Sequence, residues 1–181
     1  VDRIKQDGGN KLWIVYREKN ACYFIKCNNK GKILNDIKIK IKGDYGFTIS
    51  DIMSVGNKLY CVLDCYAPKN KSFIEILCIN KKNSKIISKK RIPVQKEYLL
   101  KFANNKIYAM DFYGNDIDVF SLKGKKIATY QLPEGLKYKE YEEYNFIEFT
   151  VKNNSIYYIN TRGVFKCDED GTKEFELMYD G

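Results

Sequence analysis

An all-β fold of four blades, each of four antiparallel strands, is what three observations in this sequence predict. The first is a phrase that returns four times: Gly9-Asn10-Lys11-Leu12-Trp13, Gly56-Asn57-Lys58-Leu59-Tyr60, Asn104-Asn105-Lys106-Ile107-Tyr108 and Asn153-Asn154-Ser155-Ile156-Tyr157. Counted Asn to Asn, the steps are 47, 48 and 49 residues, a period proper to one blade of a β-propeller. The second is what lies between the recurrences. Short runs rich in Ile, Val, Tyr and Phe often alternate with polar residues, as half-buried strands do. The third is turn chemistry, since Gly or Asn recurs at matching points of every repeat.

Each element follows from these cues in chain order. In the first blade strand a is expected at about 1–6, b at 11–17, c at 21–27 and d at 32–41. The second blade has strands at about 46–55, 58–66, 72–80 and 85–92, and the third at 97–103, 106–112, 116–122 and 125–132. The fourth has them at 144–152, 155–161, 163–168 and 172–179. The a–b turns are Gly-Asn twice and then Asn-Asn twice, residues that tolerate the positive φ of a type I′ hairpin. The c–d turns carry Gly31, Asn83, Gly124 and Gly171. A β-solenoid coil is shorter than this step, so 1–181 reads as a single propeller domain with blades at about 1–42, 43–93, 94–133 and 143–181. Closure is open between a complete small ring, part of a larger ring and half of a ring completed by a second copy. The final strand d ends at Tyr179-Asp180-Gly181 with no strand left over, which does not favour zipping the ring with mixed terminal strands.

The third blade carries a further likeness. From Asn105 to Lys125 it reads Asn-Lys-Ile-Tyr-Ala-Met-Asp-Phe-Tyr-Gly-Asn-Asp-Ile-Asp-Val-Phe-Ser-Leu-Lys-Gly-Lys. This resembles the repeat of the NHL-type and bacterial six-bladed propellers. The fourth blade shares Asn154, Ile156, Tyr157, Asn160, Val164, Phe165 and Gly171 with that repeat, and the first two share only the Asn-Lys-Leu-aromatic phrase and the c–d turn. The resemblance implies a blade and no chemistry.

Composition narrows the function classes. The net charge is +9, but 28 of the 32 basic residues are Lys and only Arg3, Arg17, Arg91 and Arg162 are Arg. Lys, Asn and Ile in excess of Arg are what an AT-rich coding sequence produces, and phosphate readers lean on the Arg fork. NHL-like nucleic-acid binding is therefore a minor alternative. No apolar run is long enough for a membrane-crossing helix. The chain does not begin with Met, so its ends read as set by processing, and a cell surface in a low-GC bacterium is the expected location.

Histidine is absent, which removes Ser-His-Asp and Cys-His catalysis and leaves a zinc site without suitable spacing. No metal or cofactor is expected. The six cysteines, Cys22, Cys27, Cys61, Cys65, Cys78 and Cys167, fall mostly in strand-like runs as small hydrophobes. Cys61 and Cys78 would come near each other in a hairpin of the second blade. A directly cross-strand bridge is strained, so reduced thiols are expected. Asp168-Glu169-Asp170-Gly171 looks like half a calcium loop but lacks the downstream Glu, and it occupies an ordinary c–d turn position.

The sequence the fold does not require lies in the d–a and b–c connections, which must emerge on one rim. The longest runs from Pro133 to Tyr144 and carries Tyr138, Glu140, Tyr141 and Tyr144. Tyr45 in the first d–a connection, and Tyr66, Tyr113 and Arg162 at b–c loops, complete a Tyr-rich surface of mixed charge suited to a protein or glycan partner. The leading reading is a non-catalytic binding module. The alternative is a propeller-type lyase, lactonase or glycosidase using inner-strand polar groups, for which Ser50, Asp51, Glu97 and Glu148 are the candidates.

Overall fold

The computed structural model describes residues 1–43, 45–67, 71–94, 98–111, 116–132, 148–160, 163–169 and 175–180. Its strands are β1 (Arg3–Gln6), β2 (Lys11–Glu18), β3 (Ala21–Asn28), β4 (Ile33–Lys40), β5 (Gly46–Val55), β6 (Lys58–Ala67), β7 (Lys71–Asn80) and β8 (Lys85–Val94). They continue as β9 (Tyr98–Ala103), β10 (Lys106–Asp111), β11 (Asp116–Ser121), β12 (Lys126–Gln131), β13 (Glu148–Lys152), β14 (Ser155–Asn160), β15 (Gly163–Asp168) and β16 (Glu176–Asp180). Each run of four forms one antiparallel sheet in sequence order, the meander of a propeller blade. The fold is all-β, and among the described residues no helix is long and apolar enough to cross a membrane.

Two compact units divide the chain, Val1–Gln95 with the first two sheets and Lys96–Gly181 with the other two. In the first unit Trp13, Val15, Phe24 and Ile37 of sheet one pack with Ile49, Ile52, Leu59, Leu63 and Leu77 of sheet two. In the second, Tyr108, Met110, Ile117 and Val119 of sheet three pack with Phe149, Ile156 and Tyr158 of sheet four. The packing has a direction. Trp13 and Tyr108 stand third after their repeat Asn, whereas Leu59 and Ile156 stand second. Because successive side chains of a strand point to opposite faces, a third-residue face meets the second-residue face of the following sheet.

The turns hold the repeat together. The backbone carbonyls of Asn10, Asn57 and Asn154 each accept from the amide that opens the c–d turn of the same blade, Asn29, Lys81 and Glu169, at 2.9–3.0 Å. Not every a–b turn is type I′. Asn104-Asn105 and Asn153-Asn154 take positive φ at both residues, but the second turn uses Gly56 alone (φ 52°). The first is a residue longer, with Gly8 and Gly9 in the left-handed region rather than Asn10. A residue not foreseen closes strand c in the first three sheets. Asn28 Oδ1 accepts from the amides of Lys30 and Lys32, Asn80 Oδ1 from Lys82, and Ser121 Oγ from Lys125. A register shift accompanies this turn in the first three sheets, at Lys26/Cys27, Cys78/Ile79 and Val119/Phe120, while in the fourth the shift lies at the start of strand c, at Val164/Phe165.

One expectation fails on register. All six cysteines are free and buried. Tyr60 stands opposite Cys78, and Leu77 opposite Cys61. The pairing of Ala67 with Lys71 sets this alignment and puts Cys61 and Cys78 on opposite faces of the sheet. They cannot be joined without shifting the strand.

Candidate functional site

In the first unit the d–a and b–c connections of a sheet leave at the same end of its strands. Gly46 pairs with Tyr66 in sheet two, so Tyr45, one residue earlier, lies at the same end as the b–c connection that Tyr66 enters. In sheet one the b–c turn is Lys19-Asn20, and the Ile41 amide beyond strand d donates to the Asn20 carbonyl at 2.7 Å. Arg17 joins the two sheets at this end by donating to the Phe47 carbonyl. Lys19 takes φ 52°, a left-handed conformation that a lysine adopts at a cost.

Tyr45 belongs to a cluster that reading the sequence missed. Its phenol donates to Glu75 Oε1 at 2.9 Å, while Lys89 Nζ and Arg91 Nη2 each donate to its oxygen at 3.2 Å. Glu75 is fully buried, with Lys89 Nζ at 2.7 Å and Arg91 Nε at 3.0 Å from Oε2. Strand pairing puts Arg91 opposite Glu75 and Lys89 opposite Leu77, so both cations rise on the face that bears the carboxylate. The Arg91 guanidinium carbon sits 4.6 Å from the Phe73 ring centroid and 5.0 Å from that of Tyr45, and the two rings meet edge to face at 5.0 Å.

The electrostatics follow. Burial and the neighbouring Glu75 hold the Tyr45 phenol above its usual range, although Lys89 pulls the other way. Burial alone would lower Lys89, but its bonds to Glu75 and Tyr45 outweigh that and raise it. The bond to Glu75 raises Arg91 further. The carboxylate is thus held between two persistent cations, one of which, Arg91, keeps 48% of its side chain exposed. Gly43 makes the arrangement fit. Its φ of 149° lies outside what side-chain-bearing residues adopt, and a Cβ there would fall inside the Tyr45 ring. Tyr66 is 40% exposed and donates to Asp64 Oδ2 at 3.0 Å. The basic residues of β8 divide between faces: Lys89 and Arg91 turn to Glu75, whereas Lys90 pairs opposite Ile76 on the other side.

Among the described residues, the inner-strand polar groups do not form a set within either unit. Ser50 stands at a register shift in β5, and its carbonyl accepts from Arg3 Nε at 2.6 Å. Asp51 is buried, salt-bridged to Lys5 Nζ at 2.6 Å, and accepts from the Ile52 amide at 2.8 Å. Glu148 pairs with Lys101 at 3.2 Å. In the Asp168 turn, the carboxylate is bonded to Ser155 Oγ at 2.5 Å and to Lys166, which hold it below the usual carboxylate range. Glu97, Tyr113, Tyr138, Glu140, Tyr141, Tyr144 and Arg162 lie outside the described residues. Of the predicted rim residues, Tyr45 and Tyr66 lie within the described structure, at the same end of sheet two but bonded on opposite faces, Tyr45 to Glu75 and Tyr66 to Asp64. A signal for the missed cluster was present: Glu75 interrupts the run Phe73-Ile74-Glu75-Ile76-Leu77, and Lys89 and Arg91 stand two apart in the next strand.

No family model matches the chain, and no curated protein matches it. Among solved structures it is similar to the WD40 domain of SCAP from fission yeast, at 11% identity and TM-score 0.49, covering 99% of this chain and 41% of that one. It is similar to Kluyveromyces lactis Hsv2, at 9% identity and TM-score 0.49, covering 93% and 62%. It is also similar to BamB from Moraxella catarrhalis, at 13% identity and TM-score 0.34, covering 97% and 64%. The chain thus spans less than two thirds of the length of each. At these identities and TM-scores the likenesses assign it no ligand, partner or activity, and the NHL-type likeness of its blade motif has no family match behind it.

Proposed function

We propose that the chain is a non-catalytic interaction module, a propeller-type scaffold that binds a protein partner through its d–a and b–c loop rim. The observation that carries this reading is Arg91. Its guanidinium is fixed between the Tyr45 and Phe73 rings and bonded to buried Glu75, yet it is half exposed. A fixed Arg beside aromatic rings binds with little further loss of side-chain freedom, and Arg and Tyr dominate the energetics of protein interfaces. The partly exposed Lys89 extends the same surface, and Tyr66 stands at the same end of the sheet on its other face. Tyr138, Tyr141 and Tyr144, with Glu140, Tyr113 and Arg162, belong to connections of the same kind and are assigned to the contact surface on sequence grounds.

The test compares variants of the two rims. The double variant Tyr138→Ala/Tyr141→Ala is expected to weaken capture of the partner while shifting the melting temperature by no more than a few degrees, as surface changes do, and Arg91→Ala to weaken capture as well, at a cost in stability from taking a cation off the buried Glu75. Lys30→Glu and Lys82→Glu, in the c–d turns, are expected to leave capture intact. Loss of capture in the c–d turn variants with full retention in the others would place the contact on the opposite rim.

A further inference from the structure

A guanidinium has two edges that donate in pairs, and at Arg91 the fold uses one of them. On that edge Nε donates to Glu75 Oε2 at 3.0 Å and Nη2 donates to the Tyr45 oxygen at 3.2 Å. Tyr45 donates in turn to Glu75 Oε1 at 2.9 Å, which closes a ring of three side chains. The other edge carries one N–H from Nη1 and one from Nη2, parallel to each other and pointing away from the first. Among the described residues Nη1 donates to no acceptor. Nε is turned to a fully buried carboxylate while 48% of the Arg91 side chain is exposed, so the second edge is the part that meets solvent.

Charge and shape decide what that edge takes. Lys89 and Arg91 bring two positive charges and Glu75 one negative, which leaves the cluster one net positive charge. A carboxylate carries one negative charge and two coplanar oxygens, spaced to accept both N–H groups of a guanidinium edge. A phosphate ester carries nearly two charges at neutral pH and would leave the cluster negative. Lys89 Nζ keeps a third proton after its bonds to Glu75 and Tyr45, on the same face of the sheet. The Phe73 and Tyr45 rings, 4.6 and 5.0 Å from the guanidinium carbon, hold its plane before anything binds.

We propose that the second edge of Arg91 is a carboxylate-binding site, and that the protein partner of this rim presents an aspartate or glutamate side chain to it. For its partner the site rests on the rim reading above; for its ligand it rests on the geometry of Arg91.

Arginine side-chain NMR tests it, because Arg91 is one of four arginines, with Arg3, Arg17 and Arg162. In chain labelled with nitrogen isotope at arginine, the Arg91 Nε signal is the one missing from Arg91→Lys. Titration with a hexaglutamate peptide blocked at both ends is expected to move that signal to saturation. The matching hexaglutamine peptide is expected to leave it in place. Arg91→Lys keeps the positive charge but has no paired edge, and by fluorescence anisotropy it is expected to bind hexaglutamate at least about tenfold more weakly. Lys30→Glu removes more positive charge from the c–d turns and is expected to change that affinity less than about twofold at physiological salt. Should Arg91→Lys not fold, the wild-type titration decides alone. Hexaglutamate that leaves the Arg91 signal unmoved, or that binds Arg91→Lys as tightly as the wild type, would overturn the carboxylate site. Tighter binding of a phosphoserine peptide matched in total charge would overturn it in favour of phosphate. None of these results touches the rim reading, which fails separately if Tyr138→Ala/Tyr141→Ala leaves partner capture intact.

Discussion

Lys5 reaches 46 residues along the chain to set its ammonium 2.6 Å from the carboxylate of Asp51. Lys101 stands in the same relation to Glu148, at 3.2 Å. In both cases a Lys on strand a of one sheet holds an acid on strand a of the next. In both, the acid accepts from the backbone amide of the core residue that follows it, Ile52 or Phe149. The electrostatic repeat is therefore a pair of sheets, twice the period of the Asn phrase.

The two pairs differ in burial, and that sets their energetic weight. The Asp51 side chain is 7% exposed and that of Glu148 is 40% exposed. Lys5→Ala takes the ammonium from a buried carboxylate and is expected to cost about 1–3 kcal/mol. Lys101→Ala is expected to cost less than about 1 kcal/mol, as exposed pairs do. Urea denaturation of both variants checks the order. Equal costs would show that the inner-strand contact owes nothing to burial.

Gly43 is expected to be intolerant of any side chain. Gly43→Ala drives a methyl into the Tyr45 ring and strains a backbone at φ 149°. Displacing Tyr45 removes a hydrogen bond from the fully buried Glu75, so a loss of about 1–3 kcal/mol is expected. Thermal unfolding gives the cost, and tyrosine fluorescence reports the displaced ring. A variant as stable as the wild type would mean that Tyr45 has other room.

Lys19 and Gly56 make an opposed pair. Both hold φ 52°, one with a side chain and one without. Lys19→Gly relieves the left-handed strain and is expected to stabilise by up to about 1 kcal/mol, a rise in melting temperature of roughly 2–4 °C. Gly56→Ala meets nothing within 4 Å, so its expected loss of about 1–2 kcal/mol comes from the backbone alone. Calorimetry of the two variants should show shifts of opposite sign.

Buried thiols give the stability a pH dependence. Burial raises Cys22 and Cys65 to about 12, and lifts Cys61 well above the ordinary 9.0. From about pH 9 upward the unfolded chain releases these protons while the folded chain keeps them. Stability is therefore full below pH 9 and falls as pH rises through the window toward 12, by up to about 1.4 kcal/mol per pH unit for each thiol. Urea midpoints at pH 8 and pH 10 measure the fall. Thiol labelling at pH 8 should be slow in the native chain and reach all six cysteines in denaturant.

Sequence alone located the sixteen strands and the short turns, to within a residue or two at most ends. Strand alternation and the turn preferences of Gly and Asn act over neighbouring residues, so they are written locally. The same locality put Tyr45 and Tyr66 at one end of sheet two, because that follows from which ends of the strands are joined. Pairing across the chain was decided only in three dimensions. Cys61 and Cys78 part because the Ala67–Lys71 pairing sets the register one residue away from a direct match, and one residue in a strand is a change of face. Glu75 reads as an isolated acid until strand pairing brings Arg91 opposite it and the loop at Gly43 lays Tyr45 across it. Lys5 and Asp51 carry no mutual signal in the chain because a salt bridge depends on distance in space, and only the packing of one sheet on the next brings those two strands together.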